Sequence, residues 1–181
     1  MIPSGTFAEM LKVAQSGDYL FLWDKNPVAE IIENVTDGPS HVITLAKFPE
    51  FSEFVEMEAV FPEGCRILPL SHYANNPCRM VLCRRKRATP QDIALAVGRG
   101  LQVMGRRYEV HEEIEIALAL YLPKRIAPHI TSTENDLFCS GMLADEYHTG
   151  SVPFTPSKTG GNITPQEALD DPLTEIVFQV N

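Results

Sequence analysis

The sequence has little of what marks several large classes of protein. Its 181 residues include 15 Lys and Arg against 24 Asp and Glu, so no basic surplus is available to displace the counterions of a nucleic acid. No apolar stretch reaches the ~18–20 residues that a bilayer-spanning helix needs. The N-terminal MIPSGTFAEM lacks the basic and then apolar pattern of a signal peptide. We therefore predict no nucleic-acid partner, no integral membrane association and a cytoplasmic location, with release by lysis or in a virion as the alternative route.

Cysteine is scarce and its spacing excludes the common metal motifs. The four cysteines are Cys65, Cys78, Cys83 and Cys139, and none belongs to a C-x-x-C pair. No histidine lies at zinc-finger spacing from any of them, so a zinc site is not expected. An intracellular address favours free thiols over disulfides. We expect no metal and no organic cofactor.

What the sequence does contain is typical of a globular protein. Apolar residues make up 44% and charged residues 22% of the chain, and its length fits one domain over residues 1–181. The single basic run, Arg84–Arg87, is predicted to be a solvated strand end or loop, with an anion or partner contact as the alternative.

The hydrophobic pattern changes halfway along the chain. The first half predicts a short helix and then about five strands joined by tight turns, and the second half predicts helices and one final strand. This order favours an α+β fold, with a largely antiparallel sheet of about five to six strands and a helical layer that carries Cys139. The predicted helices cover about 7–15, a stretch from Pro90, part of 112–122, 138–147 and a short stretch from 165; the predicted strands cover 19–23, 41–46, 54–60, 66–68, 80–83 and 174–180.

Cys139 lies where an irregular segment gives way to a predicted helix. A thiol at a helix N-terminus is exposed to the positive end of the helix dipole, which favours the thiolate. The free backbone N–H groups there can also stabilise an oxyanion. The alternative interpretation is a buried structural cysteine, which we retain for the other three.

His41 and Glu58 are candidates for the base and for the residue that orients it. His41 begins a predicted strand, and Glu58 lies on the next one, so an antiparallel pairing can bring the carboxylate to the imidazole. Each residue alone is more typical of a surface or core position. Glu56 points to the same face as Glu58 and is its rival, and His148 is a second candidate for the base.

Seven short motifs, taken in chain order, resemble a known family. The sequence is similar to the circularly permuted papain-like cysteine hydrolases related to the NlpC group, in particular the YiiX-like branch, with the lecithin-retinol acyltransferases as more distant relatives. The motifs are Gly17-Asp18, Ser40-His41-Val42, Met57-Glu58-Ala59, Leu68-Pro69-Leu70 with Tyr73 beyond, Tyr108, Phe138-Cys139-Ser140 and Ile163-Thr164-Pro165.

The resemblance implies roles for individual residues. Cys139 corresponds to the nucleophile, His41 to the general base and acid, and Glu58 to the residue that orients the histidine. Tyr108 and Ser140 are expected to contact substrate. Asp18 corresponds to a structural turn residue.

The sequence departs from the family pattern on both sides of the Cys139-Ser140 pair. Phe138 replaces a tyrosine, and Gly141 replaces a glutamate.

The expected function is that of a cysteine-nucleophile hydrolase, an amidase or peptidase that forms a thioester acyl-enzyme. Its partner is a peptide, amide or acyl substrate. An acyl-lipid hydrolase or acyltransferase with the same triad is the first alternative, and a non-catalytic peptide- or acyl-binding module is the second. The sequence specifies neither the substrate nor the oligomeric state.

Overall fold

The computed structural model describes residues 2–25, 29–30, 33–34, 37–60, 63–76, 78–107, 138–155 and 163–180. These residues form a mixed α+β structure with one seven-stranded sheet in the order β1-β7-β6-β2-β3-β4-β5. The strands are β1 Ser4–Gly5, β2 Tyr19–Trp23, β3 His41–Ala46, β4 Val55–Val60, β5 Gly64–Pro69, β6 Arg79–Arg85 and β7 Thr174–Val180; the helices are α1 Phe7–Val13, α2 Pro90–Val103, α3 Cys139–Tyr147 and α4 Pro165–Asp170, with a short 3₁₀ helix at Leu70–Tyr73.

Neighbouring strands pair in antiparallel fashion, except that β1 and β7 are parallel. The predicted number of strands is one too low, because β1 has only two residues and no alternation that would reveal it. Its pairing partner, β7, lies at the other end of the sequence. The predicted helix within 112–122 lies outside the described residues.

The central strands bury both of their faces, and the two faces belong to different cores. Along β2, Tyr19 and Phe21 pack into a cluster that contains Cys139, whereas Leu20 and Leu22 pack into a cluster with Met10 of α1. This alternation follows from the two-residue period of a strand. The sheet therefore separates a layer that contains α3 from a layer that contains α1 and the 3₁₀ helix.

Three helices begin at capping boxes that the sequence displays. Thr6, Thr89 and Thr164 each accept a hydrogen bond from the backbone N–H three residues later, and the acidic side chain at that position bonds back to the cap. Proline occupies the first turn of α2 and α4, where its missing N–H costs nothing.

The basic run at the end of β6 is not a solvated strand end. Arg85 is 2% exposed and forms an ion pair with Asp171 at 2.7 Å. Arg84 forms an ion pair with Asp18 at 2.6 Å, between Nε and Oδ1. Two of the four basic side chains therefore form ion pairs that connect β6 to other parts of the fold.

No helix among the described residues is long and apolar enough to cross a membrane.

Candidate active site

His41 is the first residue of β3, and its ring contacts Glu58 on β4. The His41 Nε2 and Glu58 Oε2 atoms are 2.9 Å apart. The turn before His41 is fixed by Ser40, whose hydroxyl donates to the Leu22 carbonyl and accepts from the Asp24 N–H. The His41 side chain is 16% exposed, and that of Glu58 is fully buried. The ring therefore lies between the surface and a buried carboxylate.

Glu58 accepts hydrogen bonds from three side chains. Besides His41, Arg66 Nε donates to Oε1 at 2.7 Å and the Tyr73 hydroxyl donates to Oε2 at 3.2 Å. Burial opposes ionisation, but the hydrogen bonds and positive charges of His41 and Arg66 outweigh it and lower the pKa of Glu58 to about 2. The carboxylate is thus held in one orientation and in its charged form.

Arg66 was not among the residues predicted for the site. It lies directly opposite Glu58 in the β4–β5 pairing. The sequence held a signal for this pairing, because Pro62-Glu63-Gly64 predicts a tight turn, and a hairpin with such a turn has residue 66 opposite residue 58. Oppositely charged residues facing each other across such a hairpin commonly pair.

Glu56, the rival carboxylate, has a different environment. Its side chain is buried, and neither of its oxygens has a hydrogen-bond partner among the described residues. Burial and the neighbouring charge of Glu58 raise the pKa of Glu56 to about 8. Of the two glutamates, the structure brings only Glu58 into hydrogen-bonding contact with His41.

Cys139 is the first residue of α3 and lies 4% exposed in the core layer on one side of the sheet. Burial alone would lower the pKa of His41, but hydrogen bonding to Cys139 and Glu58 and electrostatic interaction with both side chains raise it to about 10. The Cys139 side chain is therefore within interaction range of the imidazole. His41 therefore interacts with Cys139 on one side of the sheet and with Glu58 on the other.

Among the described residues, no histidine contributes to the electrostatic environment of the other three cysteines. Burial raises the pKa of Cys65 and of Cys78 to about 11 and also raises that of Cys83. Each is thus stabilised as a neutral thiol at neutral pH.

Contacts along α3 fix the position of Cys139. At its C-terminal end, the Tyr147 hydroxyl donates to the carbonyl of Gly17, and Glu146 accepts from Thr44 of β3. Asp145 accepts two hydrogen bonds from Arg99 of α2. Gly17 has a φ of 84°, and a Cβ there would lie 2.9 Å from Ile93, so this turn requires glycine.

Phe138 and Gly141, the residues on either side of the Cys139-Ser140 pair, lie close together. A Cβ on Gly141 would lie 3.1 Å from the Phe138 ring, so the ring occupies the space that a larger residue at 141 would use. Ser140 is fully buried, and its hydroxyl donates to the Ile163 carbonyl at 2.5 Å. That contact favours a structural role, and substrate binding by Ser140 stays a prediction. Tyr108 lies outside the described residues.

Across the described ranges, no group of three or more His, Cys, Asp or Glu side chains is arranged to hold a metal ion.

Comparison with known proteins gives a match only at the level of structure. No protein-family model matches the chain, and no curated protein matches it. Among solved structures, the chain is similar to the crystal structure of the metalloprotein YiiX (DUF1105) from Escherichia coli O157:H7, with a TM-score of 0.67 and 15% sequence identity. The match covers 90% of this chain and 96% of that one. The chain therefore has a YiiX-like fold.

Proposed function

We propose that this protein is a cysteine hydrolase of the amidase or peptidase type, built on a permuted papain-like fold. The observation that supports it most strongly is the position of His41, which bonds to Glu58 through Nε2 and interacts with Cys139. Because Nε2 is engaged by the carboxylate, Nδ1 is the ring nitrogen left to exchange a proton with the thiol. This arrangement of nucleophile, base and orienting acid is the one that covalent acyl transfer needs.

The reaction starts with the proton of the Cys139 thiol already on His41, because the raised pKa of about 10 keeps His41 protonated at neutral pH. Glu58, ionised well below neutral pH, stabilises this imidazolium. The thiolate then attacks the carbonyl carbon of the substrate. Backbone N–H groups in the first turn of α3, which have no partner within the helix, stabilise the developing oxyanion.

The second half of the reaction returns the enzyme to its starting state. His41 donates its proton to the leaving amine or alcohol as the carbonyl–heteroatom bond breaks, which leaves a thioester on Cys139. His41 next accepts a proton from water while the resulting hydroxide attacks the thioester. The tetrahedral intermediate collapses with loss of the carboxylic acid, which leaves the Cys139 thiolate beside the protonated His41. If another nucleophile replaces water, the same site performs acyl transfer.

YiiX from E. coli O157:H7 is a metalloprotein, which raises the question of whether this chain has residues that could bind a metal. The described residues offer no suitable group of three ligands, and Glu58 is already bound by His41 and Arg66. The proposed steps therefore pass through no metal.

Selective alkylation tests the proposal without knowledge of the substrate. Iodoacetamide at pH 6.5–7.5, followed by peptide mass mapping, should label Cys139 at least about tenfold faster than Cys65, Cys78 or Cys83. The reason is that Cys139 alone has an imidazole partner within the part of the chain that the structure describes. His41→Ala should remove this advantage. Equal labelling of all four cysteines would contradict the proposal and favour a non-catalytic binding module.

Turnover of simple ester and anilide substrates provides the second readout. Cys139→Ser and His41→Ala should each abolish hydrolysis and leave the thermal unfolding curve cooperative. Hydrolysis by Cys139→Ser at the wild-type rate would place the reaction elsewhere in the molecule.

A further inference from the structure

A cation held on an aromatic side chain lies on the Cys139 side of the sheet. The Arg79 guanidinium stacks over the indole of Trp23, with its carbon 4.1 Å from the ring centroid. Trp23 is the only tryptophan in the sequence, and it packs against the cluster that contains Cys139. The two residues are direct partners in the pairing of β2 with β6.

The alternation of side chains along β6 independently supports the position of Arg79 on the Cys139 side of the sheet. Arg79 shares a face with Val81 and Cys83, and both of those residues belong to the same cluster as Cys139. Arg79 is exposed, whereas its apolar face-mates are buried. The guanidinium therefore extends from the edge of the core layer that holds the thiol.

Strand geometry places Arg79 within reach of a substrate bound at the proposed centre. His41 pairs with Leu22, and Arg79 pairs with Trp23, the next residue along β2. The Cα atoms of His41 and Arg79 are thus two strand spacings and one residue step apart, or about 10 Å. The two side chains leave opposite faces of the sheet, because His41 pairs with Leu22 of the other core cluster, so Arg79 approaches a bound substrate from the Cys139 side.

The free edges of the Arg79 guanidinium are suited to an anion. Within the described part of the chain, none of the ion pairs involves Arg79. Stacking on an indole orients a guanidinium and leaves its N–H groups available for a bidentate bond to a carboxylate. The net charge of −9 repels anions in general, so a carboxylate needs a local cation of this kind.

We propose that Arg79, held by Trp23, is a subsite for a carboxylate of the substrate, so that the enzyme prefers acyl or amide substrates that carry a carboxylate a few bonds from the scissile carbonyl. This inference rests on the proposed function of Cys139 and His41. A substrate of this class enters with its reactive carbonyl at Cys139 and its carboxylate toward the end of β6.

Matched pairs of thiol reagents test the subsite. The probes are N-iodoacetyl derivatives of glycine, β-alanine and 4-aminobutyrate, each compared with its own carboxamide, and the readout is the rate of alkylation at Cys139. We expect the acid to react faster than the amide, with the largest ratio at one spacer length. Arg79→Gln should lower that ratio by roughly tenfold, the size of one charge-assisted hydrogen bond.

Two further variants separate a specific contact from general charge. Arg87→Gln changes the net charge equally, but Arg87 lies in the turn beyond the far end of β6, about 20 Å or more from Arg79, and the variant should leave the ratio unchanged. Arg79→Lys keeps the charge without the planar fork and should give an intermediate ratio. An acid-to-amide ratio that is the same in Arg79→Gln as in the wild type overturns the subsite while the proposed function stands. If the neutral amides label Cys139 no faster than the other cysteines, both proposals fail.

Discussion

At the residue scale, the two neighbouring glutamates of β4 provide a matched test of which carboxylate supports His41. Glu58→Gln should lower turnover by about 10–100-fold, because a neutral amide does not stabilise the imidazolium. Glu56→Gln should change turnover at pH 7 by less than about threefold. The Glu56 carboxyl forms no hydrogen bond to His41, and its raised pKa of about 8 keeps it mostly protonated at that pH. Initial rates of ester hydrolysis provide the measurement.

Both glutamates are buried, so loss of folding is the main confounding effect. Thermal unfolding of the two variants at pH 7 controls for it. A large loss of rate in Glu56→Gln together with a silent Glu58→Gln would show that the assignment of the carboxylate is wrong.

Contacts between individual residues could be predicted from sequence only where they join two strands that follow each other in the chain. The pairing of His41 with Glu58 follows from the predicted hairpin order, and the structure has these atoms in contact. Arg85 was not predictable as a buried residue, because its partner Asp171 is 86 positions away and its charge favours a surface position. The pairing of Trp23 with Arg79 escaped prediction for the same reason, since it depends on the register of two strands that are distant in sequence.

At the element scale, the stability of α2 should depend measurably on Thr89, the residue that caps its N-terminus. Thr89→Ala removes the hydroxyl that accepts from the Asp92 N–H, and it should lower the free energy of unfolding by about 1 kcal/mol. Thr89→Ser keeps a hydroxyl at the cap and should retain most of the stability. Denaturant titration measures both variants, and equal losses in Ala and Ser would contradict a capping role.

The elements best predicted from sequence were those with strong terminal signals. All three capping boxes begin helices as expected, and the strands at 19–23, 41–46 and 174–180 have the predicted bounds. The strand at 66–68 is longer than predicted, Gly64–Pro69, because its ends are defined by pairing with β4 and not by hydrophobicity. Local pattern carries no information of that kind.

At the scale of the whole molecule, the buried ionisable groups predict how stability varies with pH. Glu56 and Glu146 have pKa values raised to about 8, so the folded state binds more protons than the unfolded state between about pH 4.5 and 8. Stability from these groups therefore falls as the pH rises through that window. His41, raised to about 10, contributes stability that is complete below about 6.5 and is lost as the pH rises through 10.

The contribution of Glu58 to stability changes with pH in the opposite direction. Its pKa of about 2 means that its contribution is present above about pH 4.5 and is lost as the pH falls toward 2. These groups together place the highest melting temperature between about pH 4.5 and 6.5. Scanning calorimetry from pH 4 to 9 measures it, and a melting temperature that rises steadily from pH 6 to 9 would contradict the prediction.

Glu146→Gln isolates one of these groups. The amide keeps an acceptor for Thr44 but cannot ionise, so the decline of melting temperature from pH 5 to 9 should be shallower than in the wild type.

The separation of Cys139 from His41 along the chain has a consequence during synthesis. His41, Glu58, Arg66 and Tyr73 all belong to one run of consecutive strands and turns, whereas the thiol follows 66 positions after the last of them. A ribosome adding about 5–20 residues per second takes several seconds to cover that interval. The nascent chain can thus complete the His41–Glu58 pair before Cys139 is synthesised, so under the proposed function an unfinished copy has no nucleophile and no activity.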